Sequence, residues 1–99
     1  MTSAPPKKLG NAEVLLYTRI DGRQQPTGAC RHTVAGELMG QAAGLAVCVS
    51  EEGGGFYLFY CDEEWRVVTD TWHETLEDAK SQAEFEYEGV SESWRQAER

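Results

Sequence analysis

An α+β fold, with an antiparallel β-meander of about three to five strands and one C-terminal helix packed on one face, follows from three features of this 99-residue chain. Short runs of β-branched and aromatic residues alternate with Gly- and Asp-rich turns as far as Thr69. One stretch, Thr75 to Gly89, instead spaces its apolar residues for a helix and has cap signals at both ends. The composition, 40% hydrophobic with ten aromatics, supports a single modest core, since a chain of this size buries about 60 to 70% of its unfolded surface. Such a core folds without a metal or disulfide.

Residues 1 to 10 combine Pro5, Pro6, Lys7 and Lys8 with small residues, the composition of a flexible tail ahead of a single domain over 11–99. Glu13 to Ile20 is rich in Val, Leu, Tyr and Ile and reads as the first strand, ended by the turn pair Asp21-Gly22. A loop from Gly22 to Gly28 contains Pro26. Cys30 to Val34 reads as a short second strand, although Arg31, His32 and Thr33 leave its buried side undefined. Gly36, Gly40 and Gly44 then recur every fourth residue. Three glycines cost a helix about 3 kcal/mol relative to alanine, so this segment is expected to be an irregular loop or one loose turn.

Leu45 to Ser50 and Phe56 to Cys61 flank Glu51-Glu52-Gly53-Gly54-Gly55, whose glycines supply the positive φ angles that close a β-hairpin. An acidic turn, Asp62-Glu63-Glu64, leads into Trp65 to Thr69 as the next strand of the meander. Alternation sorts Phe56, Leu58 and Tyr60 onto one face and Tyr57, Phe59 and Cys61 onto the other. Both faces of this strand are apolar.

Thr75 is placed to cap the helix, with Glu77 and Asp78 in the first turn, where the helix dipole favours carboxylates. Gly89 suits a left-handed C′ position, and Val90 would then touch Phe85. Leu76, Ala79, Ala83 and Tyr87 form one stripe, with Lys80, Glu84 and Glu88 off it. A helix of about 14 residues spans about 21 Å, enough for one sheet face only. The second face is covered either by Glu13 to Ile20 with the glycine-rich segment, or not at all. In the latter case Tyr57 and Phe59 belong to an exposed patch of the kind that marks an interaction site.

Net charge is −8, and it is unevenly spread: residues 1 to 50 carry +2 and residues 51 to 99 carry −10. The acidic half repels phosphate backbones and anionic lipid and attracts basic proteins, so the expected partner is a protein with a basic surface or a second copy, not nucleic acid or membrane. The weakly polar stretch Gly40 to Val49 is far short of the roughly 20 residues that span a bilayer. Met1 to Gly10 lacks the apolar run of a secretory signal. The cysteines Cys30, Cys48 and Cys61 are odd in number and lack CxxC spacing. Reduced thiols in the cytoplasm are the expectation. No phosphate-cradling or dinucleotide motif occurs, and no cofactor is expected.

Asp70, Trp72, His73 and Glu74 cluster at the strand-to-helix junction, which makes His73, Asp70 and Glu74 the candidates for acid–base chemistry. Against that reading, adjacent residues on a strand point to opposite sides, and no HExxH is present. The alternative is structural, with Asp70 and Thr71 tying the turn, Trp72 anchoring and His73 closing the corner. Cys30 and His32 form a C-x-H pair that would need Cys48, Cys61 or His73 to complete a metal or thiol site. For an interaction module, Glu63, Glu64, Glu84 and Glu88 would steer association while Tyr57, Phe59, Trp65 and Trp72 supply contact area.

The segments Phe56-Tyr57-Leu58-Phe59-Tyr60-Cys61-Asp62, Asp70-Thr71-Trp72-His73 and Glu77-Asp78-Ala79-Lys80-Ser81-Gln82-Ala83-Glu84-Phe85-Glu86-Tyr87 resemble an uncharacterised group of small bacterial proteins over about the last 45 residues. In size, charge and strand-helix-Trp arrangement the chain is also similar, more loosely, to small immunity proteins of bacterial toxin systems. That likeness implies an acidic surface that neutralises a basic toxin, without identifying a binding residue.

Overall fold

The computed structural model describes residues 4–22, 24–27, 41–50 and 54–97, and the backbone of 33–34 and 37–38. Among the described residues, ten strands and one helix run in the order β1 (Lys8–Leu9), β2 (Ala12–Arg19), β3 (Gln25–Pro26), β4 (Thr33–Val34), β5 (Glu37–Leu38), β6 (Gly44–Val49), β7 (Phe56–Cys61), β8 (Val67–His73), α1 (Leu76–Glu86), β9 (Tyr87–Glu88) and β10 (Arg95–Gln96), with a 3-10 turn at Val90–Glu92 before β10. The main sheet is antiparallel in the order β1-β2-β6-β7-β8, and β10 shares with β1 the edge of β2 that faces away from β6. β3 pairs with β9, and β4 with β5. The expected α+β class and meander are therefore present, with α1 on one face.

Two cores lie on the two sides of this sheet. On the helix side, Leu45, Val47, Leu58 and Tyr60 meet Ala79, Ala83, Tyr87 and Val90. On the outer side, Ala46, Cys48, Phe59 and Cys61 meet Leu9, Ala12, Val14 and Trp65. The alternation of Phe56 to Cys61 matches this division, because Leu58 pairs with Val47 while Phe59 pairs with Ala46. Each large aliphatic side chain so buried contributes about 1.5 to 3 kcal/mol.

β2 serves both cores through a bulge. Its register shifts between Val14 and Leu16, so one extra residue, Leu15, reverses the alternation. Ala12 and Val14 thus face outward, whereas Leu16, Thr18 and Ile20 turn to the helix side. Here the molecule departs from a plain reading of Glu13 to Ile20, in which one set of alternate residues would share a face. The Leu15 carbonyl at the bulge accepts from the Ala97 N–H at 2.9 Å, which ties down the C-terminal strand.

The chain also departs from expectation at its start. Lys8 and Leu9 are not tail but a strand paired with Glu13 and Ala12, because Gly10 takes a positive φ of 61° and turns the chain so that Leu9 is buried. Gly44, expected in a loop, opens β6 beneath the Trp65 ring. Gly36 and Gly40 lie outside the described residues.

Helix α1 begins as the sequence predicts, with Thr75 Oγ1 accepting from the Asp78 N–H at 3.0 Å. Its end differs. The helix stops at Glu86, Phe85 is exposed, and Val90 is buried in the core instead of touching Phe85. The reason is competition for the last carbonyls: Thr27 donates its hydroxyl to the Phe85 carbonyl at 2.7 Å and its N–H to the Glu86 carbonyl at 3.0 Å. Gly89 is left-handed, with φ 96°, but it leads into the 3-10 turn. The Glu84 carboxylate closes this turn by accepting from the Gly89 and Ser91 N–H groups at 2.8 and 3.0 Å. Nearby, Gln24 donates to Ser93 Oγ and the Arg19 carbonyl, both at 2.8 Å, locking the end of β2 to the 3-10 turn.

Candidate functional site

β8 is an edge strand whose alternate residues address different sides of the sheet. Thr69, Thr71 and His73 pair with Tyr60, Leu58 and Phe56 and share their helix-side face, whereas Asp70 and Trp72 pair with Phe59 and Tyr57 on the outer face. The expected Asp70/His73/Glu74 cluster is thereby split. His73 and Asp70 lie on opposite sides of the sheet, and Glu74 is exposed beyond the strand end.

His73 is nearly buried and has two other partners. Its Nε2 lies 2.7 Å from Thr71 Oγ1 and its Nδ1 lies 3.1 Å from Asp78 Oδ2. The order hydroxyl, imidazole, carboxylate is that of an activated nucleophile. Yet Asp78 is at the same time the residue whose N–H the Thr75 cap receives, and both cavities described below lie elsewhere on the surface. The arrangement fastens the β8–α1 corner. His73→Ala should lower stability by about 1 to 3 kcal/mol, because the Thr71 hydroxyl loses its partner in a partly buried place. Urea unfolding of the wild type and H73A checks this, and a loss below about 0.5 kcal/mol, the level of a neutral surface change, would contradict it.

Cys48 and Cys61 are free and buried on adjacent strands. Burial pushes both thiols up to about 12, with a neighbouring charge adding to each: the Cys61 thiolate for Cys48 and the Asp62 carboxylate for Cys61. They are inert at neutral pH, since the thiolate is the reactive form. Among the described residues no three His, Cys, Asp or Glu side chains converge as metal ligands. Cys30 and His32 lie outside the described residues.

The outer face holds a cavity. A groove of about 500 Å³ runs between the β1–β2 turn (Leu9, Gly10, Asn11, Ala12) and the pair Tyr57 and Phe59, with Ser50 and Asp70 completing its walls. Tyr57 stacks on Phe59 with centroids 5.5 Å apart and planes 7° from parallel. Phe59 is only 8% exposed. Trp72, across from Tyr57 in the register, is 50% exposed and is oriented by its indole N–H, which donates to the Gly54 carbonyl at 2.7 Å. Leu9, Asn11 and Ala12 escaped the sequence reading because only β1 pairing brings them here.

The expected contact residues divide accordingly. Tyr57 and Trp72 are accessible, but Phe59 is buried in the outer core with Leu9 and Ala12, and Trp65 is buried against Tyr17, Arg19 and Gly44, so neither offers area to a partner. Of the acidic set, Glu63, Glu64 and Glu88 are exposed. Glu64 pairs with Arg66 at 2.5 Å in a second, shallower cavity of about 360 Å³ lined by Asp62, Glu63, Glu64 and Arg66. The backbone N–H of Arg66, followed by its side chain and the Glu64 N–H, holds the Asp62 carboxyl below its ordinary value. Glu84 is occupied by the turn after α1, and the Gly89 and Ser91 N–H groups likewise lower its carboxyl.

No helix among the described residues is long and apolar enough to cross a membrane. Comparison with protein-family models, curated proteins and solved structures gives no match.

Proposed function

We propose that the protein is a non-enzymatic interaction module whose acidic, aromatic outer sheet face receives a protein with a basic surface, as an immunity protein receives its toxin. The observation that carries this reading is the groove itself, a concavity of mixed polar and apolar lining with Tyr57 and Asp70 in its walls, on a chain whose second half has a charge of −10. Concave sites of about 300 to 1,000 Å³ with a few polar groups are the usual form of a recognition pocket, and the surrounding negative field raises the encounter rate with cations.

A basic partner is favoured over a second copy. Asp70 is the midpoint of β8, from Val67 to His73. Pairing two copies about that strand centre would set Asp70 against Asp70 on a free edge, and like charges directly opposite destabilise a sheet.

The test is capture of proteins from native lysate on the immobilised chain at low and high salt, alongside a Glu63→Lys, Glu88→Lys double variant. Basic proteins should be retained at low salt, released as salt rises, and lost from the variant. An empty column at low salt together with a monomeric scattering profile would remove the proposal.

A further inference from the structure

Building on the interaction reading, we infer that the outer groove is a receptor for a single arginine side chain, with Asp70 as its counter-ion and Tyr57 as its stacking surface. Three observations converge on a planar cation. Asp70 is exposed, is directly opposite Phe59 in the strand register, and has no hydrogen bond or ion pair among the described residues. In the second cavity, by contrast, Asp62 and Glu64 are already engaged with Arg66. Asp70 thus stands at the wall of the groove without a partner among the described residues.

The second observation is the flat aromatic floor. The nearly parallel Tyr57 and Phe59 rings both line the groove, and Trp72 flanks Asp70 two residues along the strand. A guanidinium stacks on such a ring while its fork of N–H donors meets a carboxylate in the same plane, a combination that an ammonium cannot reproduce. The third is a precedent on the same face. Arg19 already places its guanidinium carbon 5.3 Å from the Trp65 ring centroid and donates to the Glu63 carbonyl at 3.2 Å. Leu9 and Ala12 provide apolar wall for the aliphatic stem of the incoming side chain.

The experiment is a titration of the ¹⁵N-labelled chain with N-acetyl-arginine amide, followed by amide shifts, with the citrulline and lysine counterparts in parallel. Asp70→Asn serves as the test variant, since Asp70 holds nothing in the fold. The expected result is saturable shifts confined to the amides of Asn11, Tyr57, Asp70 and their neighbours. Binding should weaken by at least about tenfold in D70N, as loss of a charge-assisted bidentate pair requires. Citrulline, which is neutral, should give no saturation, and lysine should bind more weakly than arginine. Shifts that fail to saturate, or that are equal for citrulline or for D70N, overturn the inference. If arginine saturates the groove while no basic protein is captured, the site stands and the protein-partner reading falls. Capture that survives D70N, with silent groove amides, does the reverse.

Discussion

Trp65→Ala should lower the unfolding free energy by about 3 to 5 kcal/mol, the range for truncating a buried aromatic, the largest loss expected of any single substitution here. The indole is 2% exposed and is the lid of the outer core. Tyr17 meets it edge to face at 5.9 Å, Arg19 lies over it, and Gly44 sits so close beneath that a methyl group there would come within 2.6 Å of the ring. The residue also has a φ of 64°, a left-handed conformation that is rare for an aromatic residue. Its N–H closes the acidic turn on the Asp62 carbonyl at 3.0 Å. Strain of about 1 to 2 kcal/mol is therefore held in place by ring burial. A second variant separates the two terms. Trp65→Gly loses the same ring but relieves the backbone, so it should be more stable than W65A by about 1 kcal/mol, against the usual order of the two residues. Urea midpoints at unchanged slope read both. A W65G that unfolds earlier than W65A would refute the strain, and a W65A loss below about 1 kcal/mol, typical of an ordinary substitution, would refute the lid.

How far the sequence disclosed this arrangement depended on the range of the forces involved. Local signals were legible: the Thr75 cap, the stripe of Ala79 and Ala83, and the two-sided alternation of Phe56 to Cys61 all depend on neighbours within a few residues, and all appear as expected. The bulge at Leu15 was not legible, since a one-residue insertion leaves the apolar run of β2 unchanged and is revealed only by its partners. The helix end was misplaced because Thr27, some 58 residues away in sequence, takes the Phe85 carbonyl. For the site, Tyr57, Phe59, Trp65 and Trp72 were expected alike to supply contact area, yet Phe59 and Trp65 are buried, by contacts distant in sequence that leave Trp72 half exposed. The His73 and Asp70 pairing failed for a reason already contained in strand alternation, which sends residues three apart to opposite faces.

Gly55→Ala is expected to cost about 3 kcal/mol, from about 1 to 2 of left-handed strain and a comparable steric term. Gly55 has a φ of 94°, and a Cβ there would lie 2.5 Å from the His73 carbonyl oxygen and 2.6 Å from the Trp72 ring. The carbonyl belongs to the β7–β8 ladder and cannot retreat without breaking the Phe56–His73 pairing. The ring is held by its hydrogen bond to the Gly54 carbonyl. Two neighbouring experiments apportion the loss. Gly22 shares the positive φ, at 100°, but has open space around its Cβ position, so Gly22→Ala should cost only the strain, about 1 to 2 kcal/mol. Gly54 has neither constraint, and Gly54→Ala should be neutral within about 0.5 kcal/mol. The ordering G54A, G22A, G55A in rising cost is the measurable consequence. Because the Gly55 clash would push directly on Trp72, G55A should also raise the indole's solvent exposure, seen as a red-shifted tryptophan emission that G22A does not share. Equal losses for G55A and G22A would mean that the hairpin turn yields freely and that Trp72 is not fixed by it.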